Sequence, residues 1–331
     1  MGALRETGAP FSFGGHVTHT IFIDGEAGTT GLEIRERLEA RGDLELILLG
    51  DRRRDVEARR EALNAADAVI LCLPDDAAKE AVAMIDNPKV RVIDASTAYR
   101  VDPAWTYGFA EMAPGQREKI AGSTRVSNPG CYPTGFIGLV RPLVSAGIVP
   151  AGWPVTVNAV SGYSGGGKNM IIRYQDETCS AHTTEPFHAY GLSLQHKHVP
   201  EMTLHTGLER RVLFAPAVGR YFQGMLVEVP LHLSALPSSP SVEVVHGALA
   251  EAYAGCCFVE VAELETTEAM TGIDPEGLNG TNRMRLHVFG DRGGEQVRLI
   301  ALLDNLGKGA SGAAVQNLNL MLGLDEGMGL S

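Results

Sequence analysis

The chain has little cysteine and no repeated spacing among the cysteines it has. Five of 331 residues are cysteine, an odd number scattered over a long chain, so a disulfide framework is not expected and a reducing cytoplasm is the expected setting. The first 20 residues hold Arg5, Glu6, Pro10 and several glycines but no apolar run of signal-peptide length, and no later segment approaches the length of a membrane span. Positive charge is also scarce, with 28 Lys and Arg against 40 Asp and Glu and a formal charge of −12. A nucleic acid would meet no general attraction and would need a local basic patch, for which the short cluster Arg52-Arg53-Arg54 is the densest candidate. Internal repeats, low-complexity segments and long polar tracts are missing as well, which excludes solenoid and disordered classes. What is present is an ordinary globular composition, 44% hydrophobic and 21% charged, at a length that points to two domains.

From Thr20 to about Val101 short apolar runs alternate with helix-like text. Strands are expected at Ile21-Phe22-Ile23, Leu44 to Leu49, Ala68 to Leu73 and Val90 to Ile93, with an amphipathic helix from Leu32 to Arg41. That alternation predicts a doubly wound parallel sheet. After Pro133 the character changes. A helix over Gly135 to Ala146 leads into longer runs, Val155 to Val160, Arg211 to Ala217, Met225 to Leu233, Cys257 to Leu264 and Arg283 to Phe289, which predict a larger, mainly antiparallel sheet. A strand from Gln296 to Leu303 precedes a last helix, Ala310 to Leu322, with Ala310, Ala313, Ala314, Asn317 and Met321 near one face. The expected organisation is an extension over residues 1–18, a nucleotide-binding α/β domain over 19–130 and an α+β catalytic domain over 131–308.

Between the first strand and the first helix stands Asp24-Gly25-Glu26-Ala27-Gly28-Thr29-Thr30-Gly31. Glycine there lets the backbone approach a pyrophosphate, and the amides and dipole of the following helix favour the anion. A plain strand-to-helix turn would also use glycine, but the flanks favour a dinucleotide, with Gly25, Gly28, Thr29, Thr30 and Gly31 as contacts. The end of the second strand usually selects the cofactor. Here Asp51 favours NAD, whereas the three adjacent guanidiniums of Arg52, Arg53 and Arg54 offer bidentate phosphate contacts and favour NADP, with Arg52 and Arg53 as the first candidates.

Cys131 lies in Ser127-Asn128-Pro129-Gly130-Cys131-Tyr132-Pro133-Thr134, where the composition changes and helical text begins. A lone cysteine is more often a small buried hydrophobe, as Cys72, Cys256 and Cys257 are expected to be. At a helix N-terminus, however, a thiolate is stabilised and becomes a nucleophile. Gln195-His196-Lys197-His198 supplies two imidazoles, either of which suits acid–base work near neutral pH. His-x-His also fits a metal, but no third ligand stands at a recognisable spacing, so none is expected.

These segments, together with Asp94 to Arg100, Tyr107 to Met112, Ser161 to Lys168 and Leu303-Asp304-Asn305-Leu306-Gly307-Lys308-Gly309-Ala310-Ser311-Gly312, resemble the N-acetyl-γ-glutamyl-phosphate reductases, in their shorter form. That family is grouped with aspartate semialdehyde dehydrogenase, and the likeness runs from residue 21 to 330. It implies a Rossmann-type domain completed by the C-terminal helix over 309–331, NADPH as cofactor, and a second domain whose sheet assembles homodimers or homotetramers. It implies an acyl phosphate substrate, reduced to a semialdehyde in arginine biosynthesis through a thioester on Cys131. A histidine acts as acid and base, taken as His198 with His196 as the alternative. Asn305 is expected at the cofactor, and Arg100, Ser96, Asn128, Lys168 and Glu201 at the substrate. The arginine cluster replaces the family's serine-rich contact after the second strand. The rival expectations are a reductase of aminoadipyl or aspartyl phosphate and a non-catalytic NADP-binding sensor.

Overall fold

The computed structural model describes residues 18–291 and 293–331; the expected extension lies, apart from Thr18, outside the described residues. Strand β1 (His19–Asp24) is followed by α1 (Thr29–Glu39), β2 (Leu44–Ile47), a 3-10 turn over Gly50–Arg54, α2 (Val56–Ala65), β3 (Ala68–Leu71), α3 (Asp75–Ala83) and β4 (Arg91–Asp94). Then come β5 (Thr106–Tyr107), α4 (Gln116–Gly122) and β6 (Arg125–Ser127). They form a six-stranded sheet of order β2-β1-β3-β4-β6-β5 in which every adjacent pair is parallel.

The period of two in each strand sends side chains into two cores. Ile21 and Ile23 meet Ile34 and Leu38 of α1 on one face, while Phe22 meets Leu63 of α2 and Ala78 of α3 on the other. A strand covered on both faces is apolar at every position, which is why these runs read as continuous. Two expected strands end early. At Cys72 the amide donates to Asp24 O (2.8 Å) and Pro74 opens α3; after Ile47 the chain enters the 3-10 turn at Gly50, whose φ is +54°. β5 and β6 were not anticipated, because two or three residues are too few to show a period.

The second part begins with α5 (Cys131–Ser145) and continues through β7 (Thr156–Gly162), α6 (Gly167–Gln175), β8 (Phe187–Ala189), α7 (Val199–Thr206), β9 (Leu213–Gly219) and β10 (Met225–His232). It ends with α8 (Val242–Ala252), β11 (Val259–Val261), α9 (Leu264–Glu268), β12 (Met284–Gly290), β13 (Gln296–Leu303) and α10 (Gly312–Leu322). The seven-stranded sheet runs β11-β12-β13-β10-β7-β9-β8; β7–β9 and β11–β12 are parallel and the other pairs antiparallel. Its inner face, with Val227 and Val229 of β10 and Leu299 and Ala301 of β13, packs on Phe136, Leu139 and Leu143 of α5. The approach is close enough that a Cβ on Gly135 would stand 2.8 Å from the Val227 side chain.

Three expectations are corrected. Of Cys257 to Leu264 only Val259–Val261 is strand, because α9 starts at Leu264; Cys257 is exposed and Cys256 only partly buried. The last helix starts at Gly312, after a π-helical turn over Gly307–Ser311. It is not one-sided: residues 312–319 are all buried, since α10 fills the core of the first sheet with Ala314, Val315, Leu318 and Met321 while its polar side chains find buried partners. Among the described residues no helix is long and apolar enough to cross a membrane. Replacing the fully buried Phe136 by Ala is expected to cost about 3–5 kcal/mol, seen as a lower guanidinium midpoint by circular dichroism. A loss below about 1 kcal/mol would mean that α5 is not held by this contact.

Candidate active site

β1 delivers the chain to Gly25 at the point where strand order reverses between β1 and β3, the usual crevice of a doubly wound sheet. Gly25 has φ +92°, and a Cβ there would lie 2.4 Å from Cys72 O; one on Gly31 would lie 2.4 Å from Gly25 O. Both positions therefore require glycine. Gly28 caps α1 without a side chain, so no side chain claims the amides of the first turn, and an anion can. Beside this turn a cavity is lined by Gly25, Glu26, Ala27, Arg53, Arg54 and Arg59. Arg52 is turned instead toward Asp55 (3.6 Å), and Asp51 is exposed and off the lining. Arg59 Nε donates to Asp24 Oδ2 (2.7 Å) and leaves Nη2 buried without a partner. These residues fit a dinucleotide.

A second cavity, of about 230 Å³, is lined by Cys131, Arg100, His196 and His198, with Thr29 and Thr30 of the glycine turn at its edge. The turn and the thiol thus face one space. Cys131 opens α5, with Gly130 as its cap. A Cβ on Gly130 would stand 2.6 Å from Arg100 Nη1 and 2.8 Å from His198 Nε2, and one on Gly309 would stand 2.8 Å from Cys131 Cβ. The expectation of a resting thiolate is corrected. Burial pushes the Cys131 pKa up to about 11, outweighing the amides of Tyr132 and Cys131 and the nearby Arg100, which pull it down.

Burial acts on the imidazoles in the opposite sense, since it too disfavours their charged form. It lowers His196 to about 4, helped by Lys197, and holds His198 well below the usual histidine range, helped by Arg100. Both are neutral at pH 7. His196 Nδ1 accepts from the His198 amide (3.2 Å), whereas His198 Nδ1 is buried with no partner.

Arg100 is held by Glu201, with Nη1 2.7 Å from Oε1, and by Ala95 O at 3.1 Å from Nη2, while its Nε is buried and unpaired. Glu201 is not on the cavity wall. Its other oxygen accepts from the Tyr107 hydroxyl (2.8 Å) and the Gly130 amide (3.2 Å), so this carboxylate organises the residues around Cys131. Ser96, also off the wall, donates to Asp94 Oδ2 (2.6 Å), and Lys168 is exposed at the start of α6. Asn128 and Asn305 do line the cavity: Asn128 Nδ2 donates to Ala310 O (2.9 Å) and Asn305 Nδ2 to Ser164 Oγ (3.0 Å). Sequence reasoning missed Lys197 and Tyr190, which line this cavity, and Arg59, which lines the outer one with Arg53 and Arg54 of the expected cluster. Lys197 could have been found, since it stands between the two histidines. Tyr190 and Arg59 carry no local pattern.

Residues 20–122 match the family model of the semialdehyde dehydrogenase NAD binding domain, and residues 131–305 that of the semialdehyde dehydrogenase dimerisation domain. The chain is 57% identical over 305 residues to an N-acetyl-gamma-glutamyl-phosphate reductase of Brucella anthropi, covering 92% of this chain and 98% of that one. It is likewise 57% identical to the protein of that name in Rhizobium etli, over 91% and 98% of the two chains. In fold it is similar to aspartate semialdehyde dehydrogenase II of Vibrio cholerae, with a TM-score of 0.68 at 16% identity over 92% and 98% of the chains. A two-part chain with a nicotinamide-dinucleotide domain, a cysteine at the domain junction and this breadth of likeness belongs to the semialdehyde dehydrogenase family, among the N-acetyl-γ-glutamyl-phosphate reductases.

Proposed function

We propose that the chain reduces N-acetyl-γ-glutamyl phosphate to N-acetylglutamate semialdehyde with NADPH, through a thioester on Cys131. The observation that carries this reading is the single cavity shared by the Cys131 thiol, two neutral imidazoles, the Arg100 guanidinium and the end of the dinucleotide turn. Gly25, Gly28, Thr29, Thr30 and Gly31 would hold the pyrophosphate, and Arg53 and Arg54, with Arg59 behind them, the 2′-phosphate of NADP.

Because Cys131 rests as a thiol, attack needs a base. His198 is suited to it: its imidazole is neutral, lines the cavity and has a ring nitrogen free of other bonds. The sulfur forms a bond to the acyl carbon as the carbon–oxygen bond to phosphate breaks; the thiol proton passes through the imidazole to the departing phosphate. Arg100 and Lys197 offer positive charge to the substrate's anionic groups, and the amides at the start of α5 stand ready for the carbonyl oxygen as it becomes an oxyanion. When bound, NADPH supplies the hydride that reduces the thioester carbonyl. His198 then returns a proton taken from solvent to the sulfur as the carbon–sulfur bond breaks, releasing the aldehyde and the thiol.

The outer face of the seven-stranded sheet, where Phe187, Leu192 and Leu213 are exposed along an apolar groove, is proposed as the surface on which copies of the chain assemble into a homodimer or homotetramer. The cytoplasm is the proposed location, a reducing compartment that suits the five unpaired cysteines.

Three measurements test this reading. Turnover is best followed in reverse, as NADPH formation from the semialdehyde, NADP and phosphate, which avoids the unstable acyl phosphate. Cys131→Ser should abolish it by about 10³-fold or more while NADP still binds, and a near-native rate would sink the thioester. No turnover from folded, NADP-binding wild type would move the assignment to another acyl phosphate. Second, alkylation of Cys131 in the free protein should rise about tenfold per pH unit through the neutral range toward pH 11, because a thiol with a raised pKa is protonated there. A plateau near pH 7 would instead reveal a resting thiolate. Third, Arg53→Ala combined with Arg54→Ala should weaken NADP binding about tenfold or more in a calorimetric titration and change NAD binding little. Equal losses for both cofactors would place the 2′-phosphate elsewhere.

A further inference from the structure

Lys308 is among the most deeply buried side chains of the molecule, at 1% exposure, yet it touches neither cavity. Its ammonium lies 2.8 Å from both carboxylate oxygens of Glu111 and 2.8 Å from Gln316 Oε1, so all three of its protons have acceptors. The rings of Phe109 and Phe258 stand 5.5 and 5.6 Å from it. Burial pushes Glu111 up, but the charge and hydrogen bond of Lys308 more than offset it and hold the carboxyl below its ordinary range. Four separate segments therefore converge on one ammonium: the loop after β5, the π-helical turn, α10 and the residue before β11.

On one side of Lys308 the backbone meets the reacting thiol, and on the other it is packed without spare space. Gly307 has no room for a side chain, since a Cβ would lie 2.1 Å from Thr281 O, and Gly309 is pressed against Cys131. Ala310 O accepts from Asn128, and Leu306, Gly309 and Ala310 line the cavity. The turn is held open to five-residue bonds, Gly309 N to Asp304 O (2.9 Å) and Ser311 N to Leu306 O (2.8 Å). Such a turn is an uncommon backbone form that needs outside support, and it recurs at functional sites. From the cavity side the turn receives the Asn128 amide on Ala310 O, and from the core side it is tied through Lys308.

We infer that Lys308 is a positioning residue: its buried pairing with Glu111 and Gln316 locks the turn 307–311 so that Gly309 forms the wall on which Cys131 rests. This rests on Cys131 as the nucleophile. An apolar pair of similar volume would fill the same space but would not fix the register of the turn, because only the ammonium has directional partners on three sides.

Removing one charge alone would strand the other in the core, so the main test is the double variant Lys308→Met with Glu111→Leu, which removes both. Three readouts are taken: the thermal midpoint, the pH profile of Cys131 alkylation followed by mass spectrometry, and kcat with the Kd for NADP. The expected result is a folded protein whose Cys131 profile moves to lower pH as water reaches the thiol, with kcat about tenfold lower or more and NADP affinity retained. Glu111→Gln, which keeps size and one acceptor, should move the same readouts the same way by less. As a control, Leu38→Ala in the first core should lower the thermal midpoint without moving the profile. A native profile and kcat in the folded double variant would overturn the inference. So would a native profile in Glu111→Gln if the double variant does not fold, or an equal shift in the control. Because alkylation needs no turnover, an inactive wild type would defeat the proposed reaction and leave this test standing.

Discussion

Exclusion of water from the junction between the two sheets governs how the site is built. Cys131 stands at a helix start beside Arg100, both of which favour a thiolate, yet burial outweighs them and leaves a thiol. The same desolvation leaves His196 and His198 uncharged. One physical cause therefore keeps these groups uncharged, making the thiol a weaker acid and the imidazoles weaker bases than they are in water. Buried groups feel nearby charges more strongly than groups in water do, since the effective dielectric around them is lower.

The halves of the molecule are joined around this cavity by buried ion pairs rather than by apolar contact alone. Arg100 follows β4 and Glu201 lies on α7 of the second part; the pair is 9% and 1% exposed. Lys308 and Glu111 are at least as deep, at 1% and 0%. Such pairs add little to stability, because removing two ions from water costs roughly what their attraction returns. Their use is directional. Glu201 receives Arg100, Tyr107 and the Gly130 amide together, so the loop leading to Cys131 cannot shift without breaking bonds to a buried carboxylate. Surface pairs such as Arg283–Glu260 have no comparable hold on the backbone.

Much of this was legible in the sequence where the cause is local. The parallel sheet shows as short apolar runs because its strands are covered on both faces, and the glycine turn shows because Gly25 and Gly31 have no space for a Cβ. Cys131 could be singled out by its place before a helix. The state of its proton could not, because the helix end is a sequence feature whereas burial depends on Gly309, far along the chain. The same limit hid the roles of Glu201 and Lys308. Arg100 and Glu201 are 101 residues apart and Glu111 and Lys308 are 197 apart, separations at which no periodicity relates the partners. Adjacency in the cluster Arg52-Arg53-Arg54 does not say which guanidiniums face the cofactor; the 3-10 turn sends Arg52 to Asp55 and brings Arg53 and Arg54 to the cavity.

The distribution of unfavourable features also bears on whether the chain acts on its ligand or only binds it. A sensor of NADP would need the β1–α1 turn and the arginines beside it, where Arg59 Nη2 is buried without a partner. Two more such atoms belong to residues of the inner cavity. His198 Nδ1 and Arg100 Nε are both buried without partners, in the same cavity as a desolvated thiol. Each such group is destabilising by an amount that matters against a marginal folding free energy. Arg100 is tied in through its Nη atoms to Glu201 and Ala95, but its Nε and His198 Nδ1 take no part in that pairing. Polar groups held without partners at one end of a cavity whose other end fits a dinucleotide are what a site needs when its partners arrive with the substrate and change during a reaction. The unpaired atoms of His198 and Arg100 thus argue for catalysis more directly than the presence of a cysteine does.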